Sequence, residues 1–273
     1  MTGAASLAGE LTALGVRPGS VLLVHASIRS VGAVPQAVQA ALLDVLGPEG
    51  TLVVPTFTAG NSDTSPAYQS HTRGMSERQL AEYRALMPPF DATSTPSEGM
   101  GVLAESVRLS AGAARSAHPQ TSFAALGARA AELTADHDRT CHLGPSSPLA
   151  LLEQAGADVL LLGVGFAVCS SFHLAEYRLP EPVRREYHCV VLHGGERRWT
   201  SFEDVALDDG DFDALGADFE RLDPVVRAGP VGKAHARLFP LAAAVEFATG
   251  WLSGKRPRRV SPQSSQNAAK FLH

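Results

Sequence analysis

An α/β fold with a central mixed sheet, flanking helices and an antiparallel part toward the C-terminus is the architecture this sequence predicts. Three observations predict it. First, residues 21–24 and 51–54 are short apolar, branched runs on either side of an amphipathic helical stretch. Strand, helix and strand in so few residues imply a parallel pair joined by a crossover. Second, residues 159–164 form the most hydrophobic run of the chain and read as a buried strand. Third, residues 186–191 and 198–202 flank the turn His193-Gly194-Gly195 and read as an antiparallel pair.

The elements follow in order. SLAGELTALG reads as a short amphipathic helix closed by Gly15, because glycine accepts the left-handed conformation beyond a helix end. Pro18-Gly19 introduces the first strand. Val38, Leu42, Val45 and Leu46 recur at helical spacing, and Gly47 closes that helix. Pro55 stops the second strand. Residues 57–98 are punctuated by Gly60, Asn61, Pro66, Pro88, Pro89 and Pro96, and read as a long substrate-binding loop with a short helix at MSERQLAEYRALM. A helix runs from Gly101 to Leu109 and carries Glu105. SFAALG suggests a strand, followed by a helix through Leu133. Gly163 and Gly165 end the strand at 159–164, and Ser170-Ser171-Phe172-His173 open the next element. A last amphipathic helix is expected from about Ala234 to Leu252.

Composition bounds the function. The 273 residues are 45% hydrophobic and 19% charged, enough to fill a core and too apolar for a disordered chain. With 23 basic and 28 acidic residues the net charge is −5, which argues against bulk affinity for nucleic acid or anionic lipid. The N-terminus lacks the basic and apolar regions of a secretory signal, and every apolar run is shorter than a bilayer span. Cys141, Cys169 and Cys189 are odd in number and lack CxxC spacing, so neither a disulfide framework nor a structural zinc site is expected. The expectation is a cytoplasmic enzyme, monomer or homodimer, with one domain over 1–260 and a polar tail at 261–273. Residues 201–223 carry nine acids and one base, Arg221, a stretch that fits a solvated face or a polycationic ligand such as an amino-sugar. The basic cluster Lys255, Arg256, Arg258 and Arg259 offsets part of that charge.

His173 and Glu176 form an HxxE pair. Three residues apart, both side chains lie on one helical face, just past a strand end where α/β sheets concentrate active-site groups. A neutral imidazole there can take a proton, with a carboxylate fixing its tautomer. The plain alternative is a helix start with a capping serine and a first-turn glutamate. Arg115, Ser116, His118 and Thr121 form a polar stretch able to hold a phosphate or simply to be a solvated loop. His25 and Ser27 end the first strand and offer a hydroxyl beside backbone amides. Glu105 fits either an ammonium partner or a surface salt bridge. Cys169 is read as a small core residue. The P-loop, HExxH and G-x-S-x-G motifs are absent, and no ligand spacing recommends a metal.

Eight segments in order (VLLVHASIRSVGAV, GPEGTLVVPTF, FDATSTPSEGMGVLAESVR, RSAHPQTSFAALG, GPSSPLALL, VLLLGVGF, SFHLAEYRLP and VRAGPVGKAHARLF) resemble the aminoglycoside 3-N-acetyltransferase family from about residue 5 to about residue 253. The resemblance implies a family-specific α/β fold and transfer of acetyl from acetyl-coenzyme A to an amine of a 2-deoxystreptamine antibiotic. It places the catalytic histidine at His173, its carboxylate at Glu176 and an assisting hydroxyl at Ser171. His25, Ser27, Arg29, Ser30, Val31, Arg115, Ser116 and His118 would line the coenzyme A site. Glu105, Tyr68, Asp63 and Glu220 would meet the substrate. Two departures stand out. Relatives commonly read GYDRNTSLH where this chain has GFAVCSSFH, so an acid is lost at Ala167. They also often carry a glycine pair near Val34-Pro35. Acetylation of another small amine is the alternative within the class, and a metal-dependent hydrolase the alternative outside it.

Overall fold

The computed structural model describes residues 3–222 and 225–256, so Asp223, Arg258, Arg259 and the polar tail lie outside the described residues. The chain begins with α1 (Ala4–Leu14), β1 (Val21–Ala26), α2 (Ile28–Val31), α3 (Pro35–Leu46) and β2 (Thr51–Pro55). There follow α4 (Pro66–Thr72), α5 (Glu77–Leu86), α6 (Val102–Arg108), β3 (Ala114–Arg115), β4 (Phe123–Gly127), α7 (Ala130–Thr134) and α8 (Pro148–Gln154). Next come β5 (Asp158–Leu162), α9 (Phe172–Glu176), the hairpin strands β6 (Arg184–His193) and β7 (Glu196–Val205), and α10 (Phe212–Glu220). The last elements are β8 (Arg227–Val231), β9 (Ala234–Pro240) and α11 (Leu241–Lys255).

Seven strands form one mixed sheet in the order β3-β4-β2-β1-β5-β9-β8. β1 is parallel to β2 and β5, while β4, β3, β9 and β8 join antiparallel at the two sides. The sheet is mixed and the second sheet, β6 with β7, is antiparallel, as the apolar pattern predicts. Side chains alternate across the sheet with the period of two that strands impose. Leu22, Val24, Leu52, Val54, Leu160 and Leu162 pack against α1, α3 and α6. Val21, Leu23, Val53, Val159 and Leu161 pack on the other face, against α7 to α11. His25 shares the parity of Val21 and Leu23, so it belongs to the face that carries α9.

Two expectations need correction. The helix expected from Ala234 begins only at Leu241, because Ala234–Pro240 is a strand paired with β5. Ala234, Ala236 and Leu238 are buried while His235 is exposed, an alternation that helical spacing does not describe. The expected loop at 57–98 is largely structured: it holds α4 and α5, and Ser76 and Gln79 form a reciprocal capping box at the start of α5. It is fastened to the hairpin. The Asn61 amide donates to the Val190 carbonyl at 2.9 Å and accepts from the Val190 N–H at 2.8 Å. Arg197 Nε donates to the Met87 carbonyl at 2.8 Å. Asn61 thereby mimics a strand partner.

Candidate active site

The parallel strands β1, β2 and β5 end on one edge of the sheet, and the chain turns there from β5 into α9. Gly163 makes the turn, at φ +69°, and a Cβ at that position would lie 2.7 Å from Ser30 Cβ. Only glycine lets the end of β5 approach the α2 turn so closely. The edge thus brings together Ser27 and Ser30 from the α2 turn, His25 from β1, and Ser170 with His173 from the α9 region.

His173 and Glu176 form the expected pair. His173 Nδ1 lies 2.6 Å from Glu176 Oε2, with side-chain exposures of 13% and 2%. A carboxylate at Nδ1 assigns the hydrogen to that nitrogen, which leaves the Nε2 lone pair as the basic site. Glu176 Oε1 accepts the Asp208 N–H at 3.0 Å and an N–H of Arg256. The Phe212 ring lies 4.7 Å from the imidazole and shields it from the α10 side. Beside the pair, His25 Nε2 is 3.2 Å from Ser170 Oγ. Burial, and then the nearby His173, push the His25 pKa down to about 4, so it is neutral near neutral pH. Ser171 is fully buried, with its Oγ 3.0 Å from Cys169 Sγ. Burial raises the Cys169 pKa to about 11, so the thiol keeps its hydrogen and can donate it to Ser171. That leaves the serine's own hydrogen available.

The α2 turn is held by its serines. Ser27 caps it, accepting from the Ser30 N–H and from Ser30 Oγ at 2.9 Å. Arg29 and Ser30 are exposed, whereas Val31 is fully buried in the core and its N–H bonds the Ser27 carbonyl. The exposed Lys233 lies across Gly32 and adds a cation to this turn, a contribution the sequence did not reveal.

The polar groups of the RSxHP segment are engaged within the protein. Arg115 donates to Thr56 Oγ1, Ser122 Oγ, the Thr56 carbonyl and the Thr95 carbonyl, and stacks on Phe90. Burial lowers its pKa to about 10, and it stays charged as a clamp on the 88–98 segment. Ser116 Oγ accepts the Phe123 N–H at 2.9 Å and donates to His137 Nδ1 at 3.0 Å. His118 Nδ1 accepts the N–H groups of Gln120 and Thr121, both at 3.1 Å. It is fully buried and held well below the usual histidine pKa by that burial, then by His137 and His142. His118, His137 and His142 stack in series, with ring centroids 4.6 and 4.8 Å apart. The series ends on Asp204, whose Oδ2 accepts from His142 Nδ1 at 2.7 Å and from the Tyr177 hydroxyl at 2.6 Å. These are groups of the protein interior.

The expected substrate residues are also engaged internally. Both Glu105 oxygens accept from Arg108, at 2.9 and 2.8 Å, and one accepts the Ser97 N–H at 2.7 Å. Although burial opposes ionisation, these donors hold its pKa at about 2. Tyr68 is buried and its hydroxyl accepts from Arg84 Nε at 2.8 Å. Asp63 accepts the His188 N–H at 2.9 Å and lies 2.8 Å from His188 Nδ1. Glu220 pairs with Arg237 at 2.7 Å. The acidic stretch is therefore mainly a set of carboxylates with partners in the protein: Glu203 to Arg184, Asp204 to His142, Asp211 to Arg256, and Asp218 to Trp251 and Arg221. One acid of the stretch lies next to Ala167. Asp213, exposed on α10, accepts the Ala167 N–H at 3.0 Å and sets a carboxylate beside that position. Among the described residues, no group of three or more His, Cys, Asp or Glu side chains is arranged to hold a metal ion, and no helix is long and apolar enough to cross a membrane.

Comparison with known proteins agrees with this geometry. The family model described as aminoglycoside 3-N-acetyltransferase matches residues 23–253. The chain is 37% identical to aminoglycoside N(3)-acetyltransferase VII of Streptomyces paromomycinus, over 94% of this chain and 93% of that one. The crystal structure of the YokD protein from Bacillus subtilis superposes with a TM-score of 0.87 at 33% identity, covering 93% of this chain and 100% of that one. The binary complex of AAC-IIIb with CoASH superposes with a TM-score of 0.81 at 30% identity, covering 96% and 99%. The chain belongs to the aminoglycoside 3-N-acetyltransferase family and is an acetyl-coenzyme A-dependent N-acetyltransferase.

Proposed function

We propose that the protein transfers acetyl from acetyl-coenzyme A directly to the 3-amino group of a 2-deoxystreptamine aminoglycoside, with His173 as general base, and so confers resistance from within the cytoplasm. One observation carries the mechanism: a buried carboxylate 2.6 Å from His173 Nδ1, which leaves Nε2 as the proton acceptor. An ammonium has no lone pair, so the substrate reacts as the free amine. As its nitrogen attacks the thioester carbonyl, the N–H proton passes to His173 Nε2, and Glu176 stabilises the imidazolium. The carbonyl oxygen becomes an oxyanion, to which the Ser171 hydroxyl donates. Collapse of the tetrahedral intermediate breaks the C–S bond, and the thiolate takes back the proton held by His173.

Coenzyme A is assigned to the α2 turn. Ser27, Ser30 and Arg29 offer hydroxyls and a cation, and Lys233 a second cation for its phosphates. Arg115, Ser116 and His118 are left out because their polar atoms already have protein partners or are buried. The three unpaired cysteines suit a reducing compartment.

A smaller amine is the competing substrate. It is favoured by the internal pairing of Glu105, Asp63 and Glu220, which leaves fewer carboxylates for a polycation. Thiol release from acetyl-coenzyme A, measured against a panel of aminoglycosides and simple amines, separates the two. Release with 2-deoxystreptamine compounds and a product acetylated at the 3-amino group is expected. Release only with simple amines would overturn the aminoglycoside assignment.

A further inference from the structure

Arg256 follows α11 and lies on the side of Glu176 away from its histidine contact. Glu176 Oε2 faces His173, whereas Oε1 receives the Asp208 N–H and the Arg256 guanidinium. The guanidinium is itself anchored: Nε and Nη2 donate to the two Asp211 oxygens at 2.9 and 2.6 Å, and Nη2 also reaches the Asp208 carbonyl. Asp211 stands just before α10, so the arginine ties α9, α10 and the end of α11 to one carboxylate.

Electrostatics gives this contact a task. Glu176 is 2% exposed, and a carboxylate so buried stays ionised only when paired. On its Oε1 side the cationic partner is Arg256. Without it the carboxylate can rotate toward water and away from Nδ1, because a cavity of about 560 Å³ lies on that side, lined by both Glu176 and Arg256.

We propose that Arg256 is a positioning residue of the acetyl transfer, holding the Glu176 carboxylate turned toward His173. The inference rests on the reading of His173 as general base and extends it to a residue 80 positions away in sequence.

The test is a set of variants of the full chain assayed with saturating acetyl-coenzyme A. Arg256→Ala lowers kcat by about 10- to 100-fold, the range typical of partners that orient a working imidazole, while KM for both substrates stays within about twofold. Arg256→Lys keeps the charge and recovers most of that loss. Because Arg256 acts through the carboxylate, Glu176→Gln/Arg256→Ala turns over no more slowly than Glu176→Gln alone. Guanidinium ion at millimolar concentration, entering by the cavity, restores turnover to Arg256→Ala and does nothing for Glu176→Gln. Undiminished kcat in Arg256→Ala, or losses that multiply in the double variant, overturns the proposal. Should Arg256→Ala not fold, Asp211→Asn reads the same link. A fall in kcat that vanishes in the Glu176→Gln background supports the proposal, and one that persists overturns it. Normal turnover in His173→Ala would instead remove the base assignment itself, a result that none of the Arg256 outcomes imitates.

Discussion

In the proposed mechanism a single proton acceptor, His173 Nε2, separates turnover from mere coenzyme A binding, and its consequence is measurable. General-base catalysis contributes about 10²–10⁴-fold, so His173→Ala lowers kcat by that order while coenzyme A affinity, read by calorimetry, is unchanged. Near-normal turnover in a folded variant sinks the assignment. Ser171 is assigned a separable role in the same mechanism. Its Oγ lies 3.0 Å from Cys169 Sγ, a thiol able to donate to it, and with its own hydrogen given to the oxyanion Ser171→Ala lowers kcat by roughly 10²–10³-fold, as removal of one such donor does elsewhere. Cys169→Ala removes only the supporting contact and has a much smaller effect. The comparison of these two variants distinguishes an oxyanion donor from a packing residue. Asp213 is tested on the substrate side. Its carboxylate at Ala167 predicts that Asp213→Asn raises KM for the cationic amine several-fold and leaves KM for acetyl-coenzyme A alone.

At the scale of elements, the informative case is the 57–98 segment and its clamp, Arg115. The arginine joins the end of β2, the β4 region and the 92–95 turn through Thr56, Ser122 and Thr95. Arg115→Met removes the charge-assisted hydrogen bonds to Thr56, Ser122 and the Thr95 carbonyl and costs roughly 2–4 kcal/mol. It also speeds proteolysis between residues 57 and 98 and raises the amine KM, while coenzyme A affinity stays the same. Weakened coenzyme A binding with an intact segment would restore the phosphate role expected from sequence. This contrast shows what the sequence could reveal. The βαβ unit, β5, the hairpin and the HxxE pair were legible because each is a local pattern: a period of two or 3.6, a glycine turn, a spacing of three. The partners of Arg115 and Glu105 were not, because a free phosphate ligand and a buried clamp have the same side chain. The acidic stretch misled for the same reason: composition counts charges, whereas function depends on which of them remain unpaired. Strand β9 was missed because it runs directly into α11 at Leu241, so its short alternation was absorbed into the apolar pattern of the helix. Arg256 gave no signal at all, since nothing local links it to Glu176.

Across the whole molecule, the buried histidines make folding a function of pH. The chain holds His25, His118 and His137 in or near the interior, each with its pKa lowered first by burial. His118 accepts two amide hydrogens at Nδ1, and His137 lies between the His142 carbonyl and Ser116, where the bond to the carbonyl only partly opposes the effect of burial. His142 is left out of this count. Burial lowers its basicity, but Asp204 and Gln120 place an acceptor at each ring nitrogen and work against that effect. The sign follows from which state binds protons more readily. For His25 the folded pKa is about 4 against an ordinary 6.5, so between these values the unfolded chain takes up a proton that the folded one refuses. Stability is therefore full above about pH 6.5 and declines as the pH falls toward 4. For His25 alone the shift amounts to about 3 kcal/mol, and three such histidines together give a slope approaching about 4 kcal/mol per pH unit. Domains are stable by only about 5–15 kcal/mol, so cooperative unfolding is expected between roughly pH 5 and 4. Carboxylates add little in this window: Glu105 and Asp204 titrate below their ordinary values and lose their contribution only at lower pH. Denaturant unfolding at pH 7.5, 6.0 and 5.0 measures the slope, and His137→Gln should reduce it by about one third. A free energy of unfolding that stays flat from pH 7.5 to 5.0 would show that these histidines protonate without leaving the fold.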